Sequence, residues 1–352
     1  MRPGRSLAGL GLVTAAVLAL TAAGVGGRIF AVAAVVAMLP LPLYIGAALW
    51  LDRFEPEPRG MLAIAFLWGA SVAVVVSGLV NGIMDAVVGP AWTAIAAAPI
   101  VEEALKAAVL VRFYVSRRDE FDGVVDGVIY AAMAGLGFAF AENVDYYGRA
   151  LQQGGTGGLA VIFTLRGMIA PFSHPLFTSL TGMGLGVARQ SGSRTAAVVA
   201  PAAGFAGAVA LHALWNAGAS AGLIFFVVYG LVMIPALAVL LGIVAVSLKF
   251  EGRVVQARLA PEAATGLLTG EEYARLCSVR GRMHASAAAF QQGGFAAWRA
   301  RHALHRAASE LAFLRQRAAV DGVAPDPDLE QRYLRELGAV GPGAPAAAPA
   351  QG

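Results

Sequence analysis

The stretch AWTAIAAAPIVEEALKAAVLVR, residues 91–112, is long enough to cross a bilayer as a helix, yet carries Glu102, Glu103 and Lys106 about halfway along it. A span of about 20 helical residues covers about 30 Å of hydrocarbon. On insertion scales an ionisable side chain at its centre costs at least about 2.5–3.5 kcal/mol. Each of these three charges therefore demands a local reason, and the reading that supplies one is an all-α polytopic membrane bundle with a polar interior.

The rest of the chain agrees with that reading. Of 352 residues, 58% are hydrophobic and 14% charged, against about 25% charged in ordinary soluble domains. Seven further apolar runs of span length lie near 6–26, 29–51, 61–80, 124–144, 159–187, 196–218 and 221–247, giving an expectation of about eight transmembrane helices. Arg2 and Arg5 precede the first run as they would in a secretory signal, but the run is span-length and a second follows Arg28, so it is read as a retained span. Arginine in short loops sets direction. With the N-terminus inside, Arg2, Arg5, Arg53, Arg59, Arg112, Arg117, Arg118, Arg189 and Arg194 fall on the cytoplasmic side, and Arg28, Arg149 and Arg166 outside. Eight crossings then return the chain to the cytoplasm, where Lys249, Arg253 and Arg258 begin a tail.

Three parts are expected: a transmembrane bundle over 1–247, a helical cytoplasmic tail over 248–320, and a disordered Pro/Ala/Gly-rich end over 321–352 with little to bury. Thr269 and Glu272 have the spacing of a capping box. Trp298, Arg299, His302 and His305 read as a basic helix on the membrane surface or packed on itself. The single cysteine, Cys277, excludes an intramolecular disulfide framework and a multi-cysteine zinc site. The net charge of +4 is modest and its arginines punctuate apolar runs, so no nucleic-acid partner is expected.

Few polar residues lie inside the spans. Beside Glu102, Glu103 and Lys106 there are Asp126, then Glu142 and Asn143 in FAFAENVDYY, His174 in APFSHPLFTSL, and His212 and Asn216 in ALHALWNAG. No charged residue occurs between Arg194 and Lys249, which makes His212 conspicuous. Helix geometry puts Lys106 on one face with Glu102, four residues away, and beside Glu103, three away. One carboxylate can be compensated while the other faces elsewhere. Helix-bridging explains Asp126 and Asn143, and Arg166 reads as reaching out to the interface. Neither explanation suits two adjacent glutamates, because Ser, Thr or Asn would bridge helices at lower insertion cost.

Taken in order, Glu102-Glu103-x-x-Lys106, Phe138-x-x-x-Glu142-Asn143, His174 and His212-x-x-x-Asn216 resemble the PrsW family of intramembrane proteases, which is itself similar to the CAAX-processing and bacteriocin-processing membrane proteases. The acidic loop DRFEPEP, residues 52–58, resembles the family's too. The resemblance covers about residues 40–220. It implies cleavage of a peptide bond in a membrane-embedded protein, an anti-sigma factor in the best-known case, within the lipid bilayer of a bacterial cytoplasmic membrane. It implies catalytic roles for Glu102, Glu103, His174 and His212, supported by Lys106, Glu142, Asn143 and Asn216.

Hydrolysis in a bilayer needs a confined water, a base and donors for the oxyanion. One glutamate of the pair is expected as base, the other with Lys106 as support, His174 to orient the water, and His212 with Asn216 to hold the oxyanion. A glutamic-type mechanism without a cofactor is slightly favoured over zinc, whose ligands would be His174, His212 and Glu103. The competing class is a proton-coupled transporter or channel using buried Glu and His, but no repeat duplicates the glutamate pair or the histidines, as such folds often would.

Overall fold

The computed structural model describes residues 3–191 and 193–340, and among these residues there are helices and no strands. In chain order the principal helical segments are α1 (Pro3–Val25), α2 (Gly27–Leu51), α3 (Arg59–Val88), α4 (Ala98–Ser116), α5 (Val124–Phe163), α6 (Ser173–Gln190), α7 (Arg194–Ala219), α8 (Ile224–Arg258), α9 (Gly270–Leu276), α10 (Val279–Asp321) and α11 (Pro327–Val340). The chain divides into two compact units, one of Met1–Asp52 with Glu57–Val244, the other of Arg53–Pro56 with the chain from Ala245 onward.

Among the described residues six helical runs are long and apolar enough to cross a membrane, and the chain is an integral membrane protein. Two physical features separate six from the expected eight. Val124–Gln190 counts as one apolar stretch of 67 residues although it holds two packed helices, α5 and α6, with non-helical residues 170–172 between them, and α4 is excluded from an apolar count by the charges that drew attention to it.

In the first unit α1 and α2 leave most of their surface exposed, whereas α5 and α6 are largely buried. Close approach depends on small residues, as it does wherever helices pack without a hydrophobic drive from water. A methyl on Gly127 of α5 would overlap the carbonyl oxygen of Gly182 on α6, and one on Gly135 would overlap the backbone of His174 and Pro175. The second contact brings the His174 backbone against α5. Asp126 has a structural explanation, since its Oδ2 accepts the amides of Asp122 and Gly123 at 2.9 and 2.7 Å and so caps α5. Asp52 Oδ2 accepts the Glu57 amide at 2.8 Å, and Tyr130 donates its hydroxyl to Glu57. Burial pushes the Asp52 carboxyl up to about 7, against the lowering effect of the Glu57 amide and with a further rise from Asp126.

The second unit is a helical assembly of its own. Thr269 Oγ1 accepts the Glu272 amide at 3.2 Å and opens α9. α10 is not one rod: Gly293 and Gly294 leave helical geometry, Gly294 at φ 60° and ψ −152°, a region open in practice only to glycine. The arms fold back on each other, so that Arg282 Nη1 donates to Ser309 Oγ at 2.9 Å. Arg282 also donates to the carbonyls of Leu276 and Arg53 and lies 4.3 Å over the Phe54 ring.

The expected disorder from residue 321 is corrected over Pro327–Val340, which is helical. Asp326 Oδ1 accepts the amides of Asp328 and Leu329, an N-cap that composition alone conceals. Leu337 is fully buried, and Glu330 meets Arg315 Nε at 2.6 Å. Residues 341–352 of that expectation lie outside the described residues.

Candidate active site

Four helices of the first unit bring their polar residues to one place. On α4, Glu102, Glu103 and Lys106 are all buried, Glu103 and Lys106 completely. Lys106 Nζ lies 2.5 Å from Glu103 Oε1, which resolves the choice left open by spacing: the lysine pairs with the nearer glutamate. Thr178 Oγ1 from α6 donates to Glu103 Oε2 at 2.9 Å, and His212 Nδ1 from α7 lies 2.9 Å from Glu103 Oε1. Both oxygens of Glu103 are therefore engaged, and its charge is compensated.

These contacts fix the protons of both imidazoles. Glu103 only accepts, so His212 Nδ1 carries its hydrogen and Nε2 presents a lone pair. That nitrogen lies 3.7 Å from Glu102 Oε2. Glu102 Oε1 accepts from Asn81 Nδ2 at 3.2 Å, whereas buried Glu102 Oε2 and Asn81 Oδ1 have no hydrogen-bond partner among the described residues. An unpartnered carboxylate oxygen thus faces an unprotonated imidazole nitrogen. Lys106 Nζ reaches His174 Nδ1 at 3.2 Å; an ammonium only donates, so His174 Nε2 bears the hydrogen and donates to Glu142 Oε2 at 2.9 Å.

Glu142 and Asn143 on α5 are joined from a helical turn just before α6. Arg166 Nη2 meets Glu142 Oε2 at 2.5 Å and its Nε meets Asn143 Oδ1 at 2.6 Å. The expectation that Arg166 reaches out to the interface is corrected: it pairs inward, with its guanidinium 4.1 Å from the Tyr146 ring centre. Beside it a cavity of about 10 Å³ is lined by Asn143, Arg166, Ser173, His174 and Trp215 among others, about the space of one water. Aromatic rings enclose the imidazoles, Phe177 stacking on His212 at 4.8 Å and Phe138 lying 5.1 Å from His174.

The structure thus gathers Glu102, Glu103, Lys106, Glu142, Asn143, His174 and His212. Asn216 differs from expectation, because its Nδ2 donates to the Ala94 carbonyl at 2.8 Å and ties α7 to the turn before α4. Asn81, Thr178 and Arg166 were not singled out for the site. Thr178 had a signal, lying four residues after His174 on the same helical face. Asn81 had none beyond being polar in an apolar run.

A metal centre is compatible with this set. Single ligand atoms of Glu102, His174 and His212 lie within 4.8 Å of one another, and Glu102 Oε2 and His212 Nε2 supply two ready electron pairs. Of the two glutamates it is Glu102, not the expected Glu103, that the geometry leaves able to serve as a ligand, because Glu103 is already held by Lys106, Thr178 and His212. His212 also has the outer carboxylate partner that ligating histidines usually keep.

Comparison with known proteins agrees. A family profile described as "PrsW family intramembrane metalloprotease" matches residues 57–240. Protease PrsW of Geobacillus kaustophilus is 33% identical over 140 residues, covering 39% of this chain and 58% of that protein. Protease PrsW of Clostridioides difficile is 32% identical over 114 residues, covering 30% of this chain and 47% of that protein. The chain thus spans about half the length of the curated relatives it matches, and no solved structure matches it. Since the profile takes in more than half of the sequence and contains every residue gathered at the site, this chain belongs to the PrsW family.

Proposed function

We propose that this protein hydrolyses a peptide bond of a membrane-anchored protein, within the bilayer, at the cluster formed by α4, α5, α6 and α7. The observation that carries the reading is the unpartnered Glu102 Oε2 facing the His212 Nε2 lone pair beside His174. Helix-bridging would not leave the buried Glu102 Oε2 without a hydrogen bond. The fit of these atoms favours a metal over the cofactor-free mechanism expected from sequence.

Glu102, His174 and His212 would hold a divalent metal, zinc by the chemistry of the donors, with His174 giving up its Nδ1 contact to Lys106 to free a lone pair. Such an ion supplies Lewis-acid chemistry to a carbonyl and lowers the pKa of a water. The chain's own groups do the rest. Glu103, charge-compensated by Lys106, fixes the His212 tautomer. Glu142 Oε2, held by Arg166, orients His174. Glu142 is 23% exposed, unlike the sealed Glu103, and its carboxylate takes the proton of the attacking water. It then returns that proton to the leaving amine as the carbon–nitrogen bond breaks. Arg166 and Asn143 border the small cavity and position the water there.

Both termini are proposed to be cytoplasmic, with eight crossings of a bacterial cytoplasmic membrane, supported by the nine-to-three arginine bias. The test is cleavage of a membrane-anchored reporter by purified protein in nanodiscs. Glu142→Gln is expected to lose turnover by about 10²-fold while retaining metal, and Glu102→Gln to lose both. Unchanged cleavage by both variants would overturn the reading.

A further inference from the structure

The fold of α10 leaves one end of the second unit without a structural purpose for its side chains. The two arms bury Arg282, Ala285, Leu304, Ala308 and Ser309 where they meet. At the Gly293–Gly294 bend, Phe290 and Phe295 are 54% and 62% exposed. Phe295 stacks on Trp298 with ring centres 5.3 Å apart, and Arg299 lies over the Phe295 ring. Phe290 on one side of the bend and the Phe295–Trp298 pair on the other make this end an aromatic tip. Covering exposed Phe side chains is favourable in proportion to the apolar area taken from water, so the tip favours an apolar partner.

The surrounding sequence selects which one. From Tyr273 to Ser309 there is no Asp or Glu, but there are six arginines. Arg280, Arg299 and Arg306 among them are exposed. Tryptophan and phenylalanine backed by arginine are the residue types that settle at a bilayer interface, and basic neighbours favour anionic lipid. α10 begins at Val279, twenty residues and two short helices after the span-length α8 ends at Arg258, so the chain tethers α10 to a bilayer. We propose that the Phe290–Phe295–Trp298 tip docks into the headgroup layer of an anionic bilayer. Only a shallow insertion fits, because Gln291 and Gln292 share the tip and remain exposed.

The single cysteine makes the test direct. Full-length protein carrying Cys277→Ser receives Ala296→Cys at the tip or, as a companion, Val320→Cys, whose parent side chain is 74% exposed. Each is labelled with an environment-sensitive fluorophore and placed in nanodiscs of phosphatidylcholine, with or without phosphatidylglycerol. The label at 296 is expected to shift to the blue in anionic nanodiscs and to be quenched by headgroup-nitroxide lipid several-fold more than the label at 320. Adding Phe290→Ser and Trp298→Ser, both at the tip, should return it to aqueous emission. Aqueous emission at 296 in every lipid, or a shift no larger in anionic than in neutral nanodiscs, would overturn the proposal. So would a blue shift that persists in detergent without lipid, which would assign the tip to a protein partner or a second copy.

Discussion

Lys106 and Arg282 are both cations with almost no exposed surface, 0% and 3%, yet their surroundings differ in kind. In the first unit Lys106 meets a carboxylate and an imidazole, and the atoms left unpartnered nearby, Glu102 Oε2 and Asn81 Oδ1, are acceptors. In the second, Arg282 is held by backbone carbonyls, a serine hydroxyl and an aromatic ring, and the unpartnered atoms, Arg282 Nη2 and His305 Nε2, belong to basic groups. Burial of charge alone does not mark a reactive centre. The first arrangement carries acid, base and an electron-rich gap, whereas the second pins helices together with neutral dipoles.

The largest effect should come from the electron-rich gap. Glu102→Gln is expected to lower cleavage about a thousandfold, on the order of 4 kcal/mol of activation free energy, with metal content falling in parallel. Near-normal turnover would erase the contrast between the two cations. Next in size is the ion pair itself. Lys106→Met strands a buried carboxylate at a cost of about 3–5 kcal/mol, read as a loss of thermal stability, and adding Glu103→Gln should restore most of it. Arg282→Met leaves only carbonyls and a hydroxyl unsatisfied and should cost less, about 1–3 kcal/mol. Equal losses would mean that the two sites are built alike.

A smaller change is expected at the edge of the cluster. Arg166→Gln removes the partner that holds Glu142 and should lower turnover about 10–100-fold with little change in melting temperature. The subtlest effect is one of pH, and it belongs to the second unit. Burial, followed by Arg282, Arg301, His302 and Arg53, holds the His305 imidazole far below its ordinary 6.5. Because the folded state favours neutral His305, its contribution to stability is full above pH 6.5 and is lost as pH falls. Hydrogen-exchange protection across 300–313, corrected for the slower intrinsic exchange in acid, should fall on acidification in the wild type and much less in His305→Gln.

The helical bundle was legible because lipid imposes a crude rule, and runs such as 221–247 obey it. The site was legible because Glu102, Glu103 and His212 break that rule in ways that helix-bridging does not explain. Which glutamate pairs with Lys106 was not, since positions three and four apart share a helix face and only the orientation of α4 against α6 and α7 decides. Arg166 was misread for a related reason: an arginine near a span end can turn either way, and its direction depends on Glu142, 24 residues earlier. The bend of α10 rested on two glycines that sequence alone reads as a flexible spot. The helix at Pro327–Val340 hid behind a biased composition that masked Asp326 as a cap and Leu337 as an anchor.

The most direct measurement is cleavage of a membrane-anchored reporter by the purified protein in nanodiscs, assayed before chelation, after it, and after returning zinc. The geometry of Glu102, His174 and His212 predicts loss of cleavage on chelation and its recovery with the metal in wild type alone. Full cleavage by thoroughly chelated protein free of bound metal would contradict it.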